Sequence, residues 1–282
     1  MLQFMTAVTR TRRPASARTR STSRTLAIDI GGTGLKAAVL DASGKMTTDR
    51  VRVPTPYPCS PDVLVSALRT LVGPLPAYDR VSAGFPGVVR QGRVLSAPEF
   101  VTVGGLGTAV DPRLVRAWAN YDLGSALDRA LHRPVRLAND ADMQGAAVVT
   151  GRGLELVITL GTGVGTALYQ DGRLAPHLEM AHHPFRKGET YNEQLGDAAR
   201  KRVSRRRWNS RVKRAVATLD ALLFFDHVYI GGGNSVRVRV DLGPKASIVD
   251  NSAGILGGIK LWDQPAPPRS GGGPVIGRRV AN

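Results

Sequence analysis
Apolar and polar positions change rhythm several times along this chain. Leu26 to Ile30 is almost wholly apolar, Gly31-Gly32-Thr33-Gly34 interrupts it, and Leu35 to Leu40 is apolar again. That spacing predicts two strands joined by a tight turn. A polar turn at Asp41 to Gly44 leads to a short strand at Val51 to Val53. Val63, Leu64, Leu68, Leu71 and Val72 then recur with a helical period, predicting an amphipathic helix from Pro61 to Val72. Arg80 to Phe85 reads as a strand running into Pro86-Gly87. Open α/β sheets commonly hold ligands at such carboxyl ends of strands. Residues 91–112 show no period and read as loop, and Leu123 to Leu131 reads as helix. Pro134 to Leu137 reads as a short strand that ends at Asn139-Asp140, where a helix through Val149 begins.

The second half repeats the first. Leu156 to Leu160, the turn carrying Gly161, Gly163 and Gly165, Thr166 to Gln170 and the polar Asp171-Gly172 reproduce the strand, glycine turn, strand and polar turn of residues 28–44. An internal echo of this kind predicts two similar α/β halves with ligand held between them. Helices are expected at Tyr191 to Val203 and Val212 to Leu223. A strand at His227 to Ile230 ends in Gly231-Gly232-Gly233, a further strand covers Ser247 to Val249, and a helix from Ser252 to Leu261 closes the pattern. The expected organisation is a tail at 1–24, an N-terminal α/β domain at 25–134 completed by a closing helix at 250–262, a C-terminal α/β domain at 135–249, and a flexible tail at 263–282.

Composition narrows the function classes. A chain of 282 residues with 42% hydrophobic content can bury a sizeable core. No apolar run approaches the roughly 18 residues of a membrane span, and the N-terminus lacks the apolar core of a secretory signal. The single cysteine, Cys59, excludes an internal disulfide and a Cys-rich zinc site. An intracellular, cytoplasmic protein is the expectation. The net charge of +17 is localised rather than spread. Residues 1–24 hold six arginines and no acid, and Arg200 to Arg214 holds nine basic residues and no acid. The first segment reads as a disordered tail, an over-long reading of the frame or an organellar leader. The second reads either as a solvated helix face or as a track for a polyanion. Trp208 within it offers a stacking group, but no nucleic-acid-binding motif accompanies it.

Several residues carry candidate chemistry. Each Gly-Thr-Gly turn is either an ordinary hairpin or a cradle whose backbone N–H groups approach a phosphate. Asp140 is either the cap of its helix or a general base. Glu179 and His182 form a Glu-x-x-His suited to gripping hydroxyl groups, with His182 as a metal ligand the weaker alternative because no ligand cluster accompanies it.

The ordered set AIDIGGTGLK, SAGFPGVV, LANDAD, TLGTGVGTAL, Glu-x-x-His and YIGGGN resembles that of the ROK sugar kinases, and among them the polyphosphate glucokinases, over about residues 25–262. The resemblance implies two RNase H-like domains of the actin/sugar kinase superfamily with a cleft between them. It implies phosphorylation of glucose at the 6-hydroxyl by polyphosphate or ATP, or an ATP-dependent hexokinase acting on glucose, mannose or another hexose. Mg²⁺ is the implied cofactor. By position, Asp29, Gly31, Gly32, Thr33 and Lys36 match the first phosphate motif, with Asp29 near Mg²⁺ through water. Gly161, Thr162, Gly163 and Gly165 match the second phosphate motif, and Gly231, Gly232 and Gly233 the nucleotide-side turn. Asp140 matches the catalytic base. Asn139, Glu179, His182 and, on a looser alignment, Glu193 match sugar contacts, and Pro86 and Gly87 fall on the same substrate side. Arg205, Arg206 and Arg207 are the expected polyphosphate track. Two departures stand out: Ala181 replaces the usual glycine before the histidine, and the Cys-rich zinc motif is missing, so no zinc is expected. A homodimer is implied, with neither membrane nor nucleic acid as partner. The rival from another class is a non-catalytic sugar sensor or nucleic-acid-binding protein, against which the intact motif set and the absence of a helix-turn-helix argue.

Overall fold
The computed structural model describes residues 23–105, 107–249 and 253–264, with side chains from residue 257 onward in the last stretch. The expected tails at 1–24 and 263–282 fall almost wholly outside these residues. The first half opens with β1 (Thr25–Ile30), β2 (Leu35–Leu40) and β3 (Val51–Val53), followed by α1 (Pro61–Val72) and β4 (Arg80–Phe85). Short strands β5 (Val89–Arg90) and β6 (Arg93–Val94), helix α2 (Pro112–Trp118), strand β7 (Tyr121–Asp122) and helix α3 (Leu123–Leu131) follow, and β8 (Val135–Asn139) completes the sheet. Its order is β3-β2-β1-β4-β8: the glycine turn makes β1 and β2 antiparallel, while β1, β4 and β8 run parallel.

After α4 (Asp140–Val148), the second half repeats the plan with β9 (Leu154–Leu160), β10 (Val164–Gln170) and β11 (Arg173–Leu174). Then come β12 (Pro184–Arg186), β13 (Glu189–Thr190), α5 (Tyr191–Leu195), α6 (Asp197–Arg202), α7 (Arg205–Leu223), β14 (His227–Gly231), β15 (Ala246–Ile248) and α8 (Ala253–Lys260). The sheet order β11-β10-β9-β14-β15 reproduces the first sheet strand for strand. The echo read in the sequence is therefore a repeated topology. One boundary differs from expectation: β8 is hydrogen-bonded to β4, so the first sheet extends past residue 134.

Local chemistry explains the elements. Ser60 caps α1 through the Val63 amide and Pro61 occupies its first turn, where a missing N–H costs nothing. Leu64, Leu68, Leu71 and Val72 turn inward with the alternating residues of β1 and β2. Phe85, Phe100 and Trp118 stack beside them, and the Trp118 indole donates to the Cys59 carbonyl at 2.9 Å. Cys59 is fully buried, and burial pushes its thiol up to about 12, which leaves it inert. The stretch expected as one helix over 191–203 breaks at Gly196 into α5 and α6. The helix expected from Val212 starts instead at Arg205, capped by Ser204, whose hydroxyl accepts from Arg207 N. Trp208, Val212, Ala215, Val216 and Leu219 form its buried stripe. Trp208 is 1% exposed and its indole donates to Leu195 O, so it has no face free for stacking. No helix among the described residues is long and apolar enough to cross a membrane.

The C-terminal segment clasps both halves. α8 packs on α4, β1 and β4. Ser82 on β4 donates to Gly258 O and accepts from the Trp262 indole, and the Arg80 and Arg136 guanidinium groups lie over the Trp262 ring. Gln264 reaches the second sheet through Leu174 N and Gly172 O. Gly257 makes this approach possible, because a side chain there would overlap the Met143 carbonyl on α4. Gly257→Val should cost about 3 kcal/mol of stability by overpacking. Gly233→Ala, which meets nothing within 4 Å, should cost under about 0.5 kcal/mol. Chemical denaturation of the two variants checks the contrast.

Candidate active site between the two glycine turns
Asp140 stands where the two halves meet. It opens α4 directly after β8, in a helix capped by Asn139, whose Oδ1 accepts from Ala141 N at 2.7 Å. The Asn139 amide also donates to Gly87 O at 3.0 Å, tying the start of α4 to the Pro86-Gly87 turn beyond β4. Gly87 has no room for a side chain, because the Ser96 backbone fills that space. Gly84 brings β4 against the Asp140 backbone, and Gly165 brings β10 against Ala141. Both sheets thus approach the first turn of α4, from which the Asp140 carboxylate projects. Desolvation raises Asp140 to about 7, with the charges of Asp29, Asp142 and Glu99 adding to the effect and the Ala141 amide opposing it. A carboxylate poised there can accept a proton near neutral pH. The cap and base readings do not exclude each other: Asn139 caps, and among the described residues the Asp140 carboxylate accepts only from the amide of the next residue.

On one side lies the first glycine turn. Gly31 N donates to Gly34 O, while Thr55 and Tyr57 hold the carbonyls of Gly31 and Gly32. Thr33 is exposed at the crest. Asp29 pairs with Lys36 at 2.8 Å across the β1–β2 register, and its side chain is 35% exposed. Glu99 lies against Gly32 with Oε2 buried, and desolvation raises its pKa while the Gly32 amide opposes the rise. Glu99 comes from the stretch that reads as featureless loop, so its approach to the turn leaves no sequence signal.

On the other side, Thr162 is exposed at the crest of the second turn. Asn192 accepts from Val164 N, and Asp197 N donates to the carbonyls of Gly161 and Thr162. Of Gly231-Gly232-Gly233, the middle glycine packs at the base of this turn. Gly232 has φ +82° and touches the Leu160 backbone, and Asn234 donates to Gly161 O.

Beside these turns opens a cavity of about 470 Å³ lined by Arg200, Lys201, Arg205, Trp208, Arg237 and Arg239, among others. Arg200 and Lys201 both pair with Asp197, which joins the cavity wall to the second turn. Of the three arginines expected as a track, Arg205 lines this cavity, whereas Arg206 and Arg207 are exposed and do not. Arg237 and Arg239 escape the sequence reading because no motif or charge run marks Ser235 to Val240.

The Glu-x-x-His pair is brought to the same region by the 3-10 turn Met180–His182. His182 Nε2 lies 3.9 Å from Glu179 Oε2 and is exposed, whereas His183 turns to Pro184 O. Glu193 uses its carboxylate in a capping box with Thr190 N and Oγ1, so its role here is to start α5. A residue missed in the sequence is His177, which is buried and sits between Asp142 and Glu179. No group of three or more His, Cys, Asp or Glu among the described residues is arranged to hold a metal ion.

The ROK family's sequence profile matches residues 25–182. A polyphosphate glucokinase of Mycobacterium leprae is 28% identical over 260 residues, covering 86% of this chain and 75% of that protein. The crystal structure of an inorganic polyphosphate/ATP-glucomannokinase from Arthrobacter sp. strain KM superposes with a TM-score of 0.70 at 32% identity, covering 86% of this chain and 99% of that one. A ROK family glucokinase from Streptomyces griseus, solved with glucose and AMPPNP, shares the fold at a TM-score of 0.63 and 18% identity, covering 84% of this chain and 98% of that one.

Proposed function
The chain belongs to the ROK family, and from that premise we infer that it is a glucokinase that phosphorylates the 6-hydroxyl of glucose with inorganic polyphosphate. The observation that carries the choice of donor is the cavity beside the second glycine turn. Arg200, Lys201, Arg205, Arg237 and Arg239 line it, and a cation-lined cavity suits a chain of phosphates. The likeness to a polyphosphate/ATP-glucomannokinase along nearly its whole length supports the same reading.

In this reading Asp140 takes the proton from the attacking hydroxyl as the terminal phosphoryl group moves onto it. Backbone N–H groups of the turns at Thr33 and Thr162 face the phosphates. Glu179 and His182 accept and donate hydrogen bonds to ring hydroxyls, a mode that rejects sugars lacking the matching group. Asn139 and the Pro86-Gly87 turn complete the sugar side. Asp29, whose carboxylate is accessible at the first turn, would hold Mg²⁺ through water, consistent with an ion that keeps most of its ligands from phosphate and water. Mg²⁺ bound with the donor supplies charge neutralisation. The protein would work in the cytoplasm, as a homodimer.

Glucose 6-phosphate formation by the purified protein, with polyphosphate and with ATP at several salt concentrations, tests this. Turnover favouring polyphosphate and falling with salt is expected. Turnover with ATP alone would replace the reading with an ATP-dependent hexokinase. Glucose binding without turnover on any hexose would leave a sugar-binding protein.

A further inference from the structure
His177 has no part in the chemistry above, yet it occupies a central place. Its side chain is 4% exposed, with Nδ1 2.9 Å from Asp142 Oδ1 and Nε2 3.2 Å from Glu179 Oε1. An ionised carboxylate can only accept hydrogen bonds, so a ring that meets one at each nitrogen donates from both. With both carboxylates ionised that describes an imidazolium, whose hydrogen bond and charge oppose the burial that raises Asp142. Asp142 lies on α4 two residues beyond Asp140, and its carbonyl accepts from the Tyr169 hydroxyl of β10. The other oxygen of Glu179 faces His182. The ring therefore bridges the helix that carries the base and the loop that carries the sugar-gripping carboxylate.

We propose that His177 is a positioning residue for the sugar: as an imidazolium it fixes the Glu179 carboxylate relative to Asp140, so that the hexose is held with its reacting hydroxyl at the base. This rests on the hexose kinase reading. Glu179 has no other hydrogen-bond partner among the described residues besides its longer contact with His182, so without the ring it would be free to rotate. The positive ring also neutralises Asp142, whose charge otherwise weighs on Asp140. Burial alone would lower the His177 pKa, but the hydrogen bonds the ring donates to Asp142 and Glu179, with their charges, outweigh it and carry it up to about 9. Because the folded value lies above the unfolded one of 6.5, the bridge is complete below pH 6.5 and is lost as pH rises through about 9.

Kinetics and NMR of the whole protein test the proposal. kcat/KM for glucose should rise through about pH 7 with Asp140 and fall through about pH 9 with His177. His177→Asn and His177→Gln should raise KM for glucose about tenfold or more with a smaller fall in kcat, and should remove the alkaline limb. Unchanged KM and an unchanged alkaline limb, with only a lower melting temperature, would overturn it. Imidazole nitrogen shifts in the wild-type protein should show both nitrogens protonated at pH 7.5, and a neutral ring there would also overturn it, whether or not the variants fold. Should the wild-type protein phosphorylate no hexose, the kinase reading fails by itself. Calorimetric affinity for glucose then decides for His177: a loss in the variants supports positioning, and equal affinity refutes it.

Discussion

Asp140→Asn should fold like the parent protein and lose about 10²- to 10⁴-fold in kcat for glucose phosphorylation, the range over which a positioned general base contributes. The geometry separates the two effects. The cap of α4 is Asn139, and the Asp140 Oδ1 contact to Ala141 N is one that an asparagine oxygen can also make. Stability should be level or higher in the variant at pH 8. The folded-state pKa of Asp140 lies above its ordinary value, so ionisation costs stability at every pH above about 4, and a neutral amide avoids that cost. KM for glucose should change less than kcat. The measurement is steady-state formation of glucose 6-phosphate beside a thermal melt. Near-normal turnover in a folded variant would remove Asp140 as the base, and a collapsed melting temperature would show that its role at the helix start is structural.

The second large effect concerns the donor. Replacing Arg205, Arg237 and Arg239 together by alanine should raise KM for polyphosphate about 10- to 100-fold and spare KM for glucose. Each lost cation contributes on the order of 1 kcal/mol toward a polyanion, and the logarithmic salt slope should flatten by about 2. The backbone ties of this segment survive the change, because Asn209 bonds Arg239 N and Arg237 O rather than either guanidinium. Arg206→Ala with Arg207→Ala is the control: both side chains lie outside the cavity, so KM for polyphosphate should move less than about twofold. Equal losses for both substrates in the triple variant, or an effect confined to the control pair, would refute the cavity as the donor's place.

Much of the fold can be read from apolar rhythm, because α1, β1, β2 and β4 each bury one face or both. The glycine turns and Asn139-Asp140 stand out for the same reason: they interrupt that rhythm with residues whose backbone or carboxylate does something a core cannot. What escapes the sequence is what depends on distance along the chain. His177 is defined by Asp142, which lies 35 residues away, and nothing local marks a lone histidine as charged. Glu99 gains meaning only by meeting Gly32 across the fold. The start of α7 is hard to read because nine basic residues conceal a stripe that begins at Trp208, and the same charges single out Arg206 and Arg207 while Arg237 and Arg239 stand in a stretch with no motif. Glu193 is the opposite case: matched to a sugar contact by position, it places one carboxylate oxygen in a capping box that Thr190, three residues earlier, makes locally legible.

The clasp formed by the last helix bears on the order in which this protein can be made. Ser82 lies in a central strand of the first sheet, yet its partners are Gly258 and Trp262, 176 and 180 residues later. During synthesis the first sheet emerges with that face uncovered, and it stays so until the segment carrying Gly258 and Trp262 has left the ribosome. The first sheet is thus completed only after the second half has been made, and it is a surface the nascent chain must keep from aggregating.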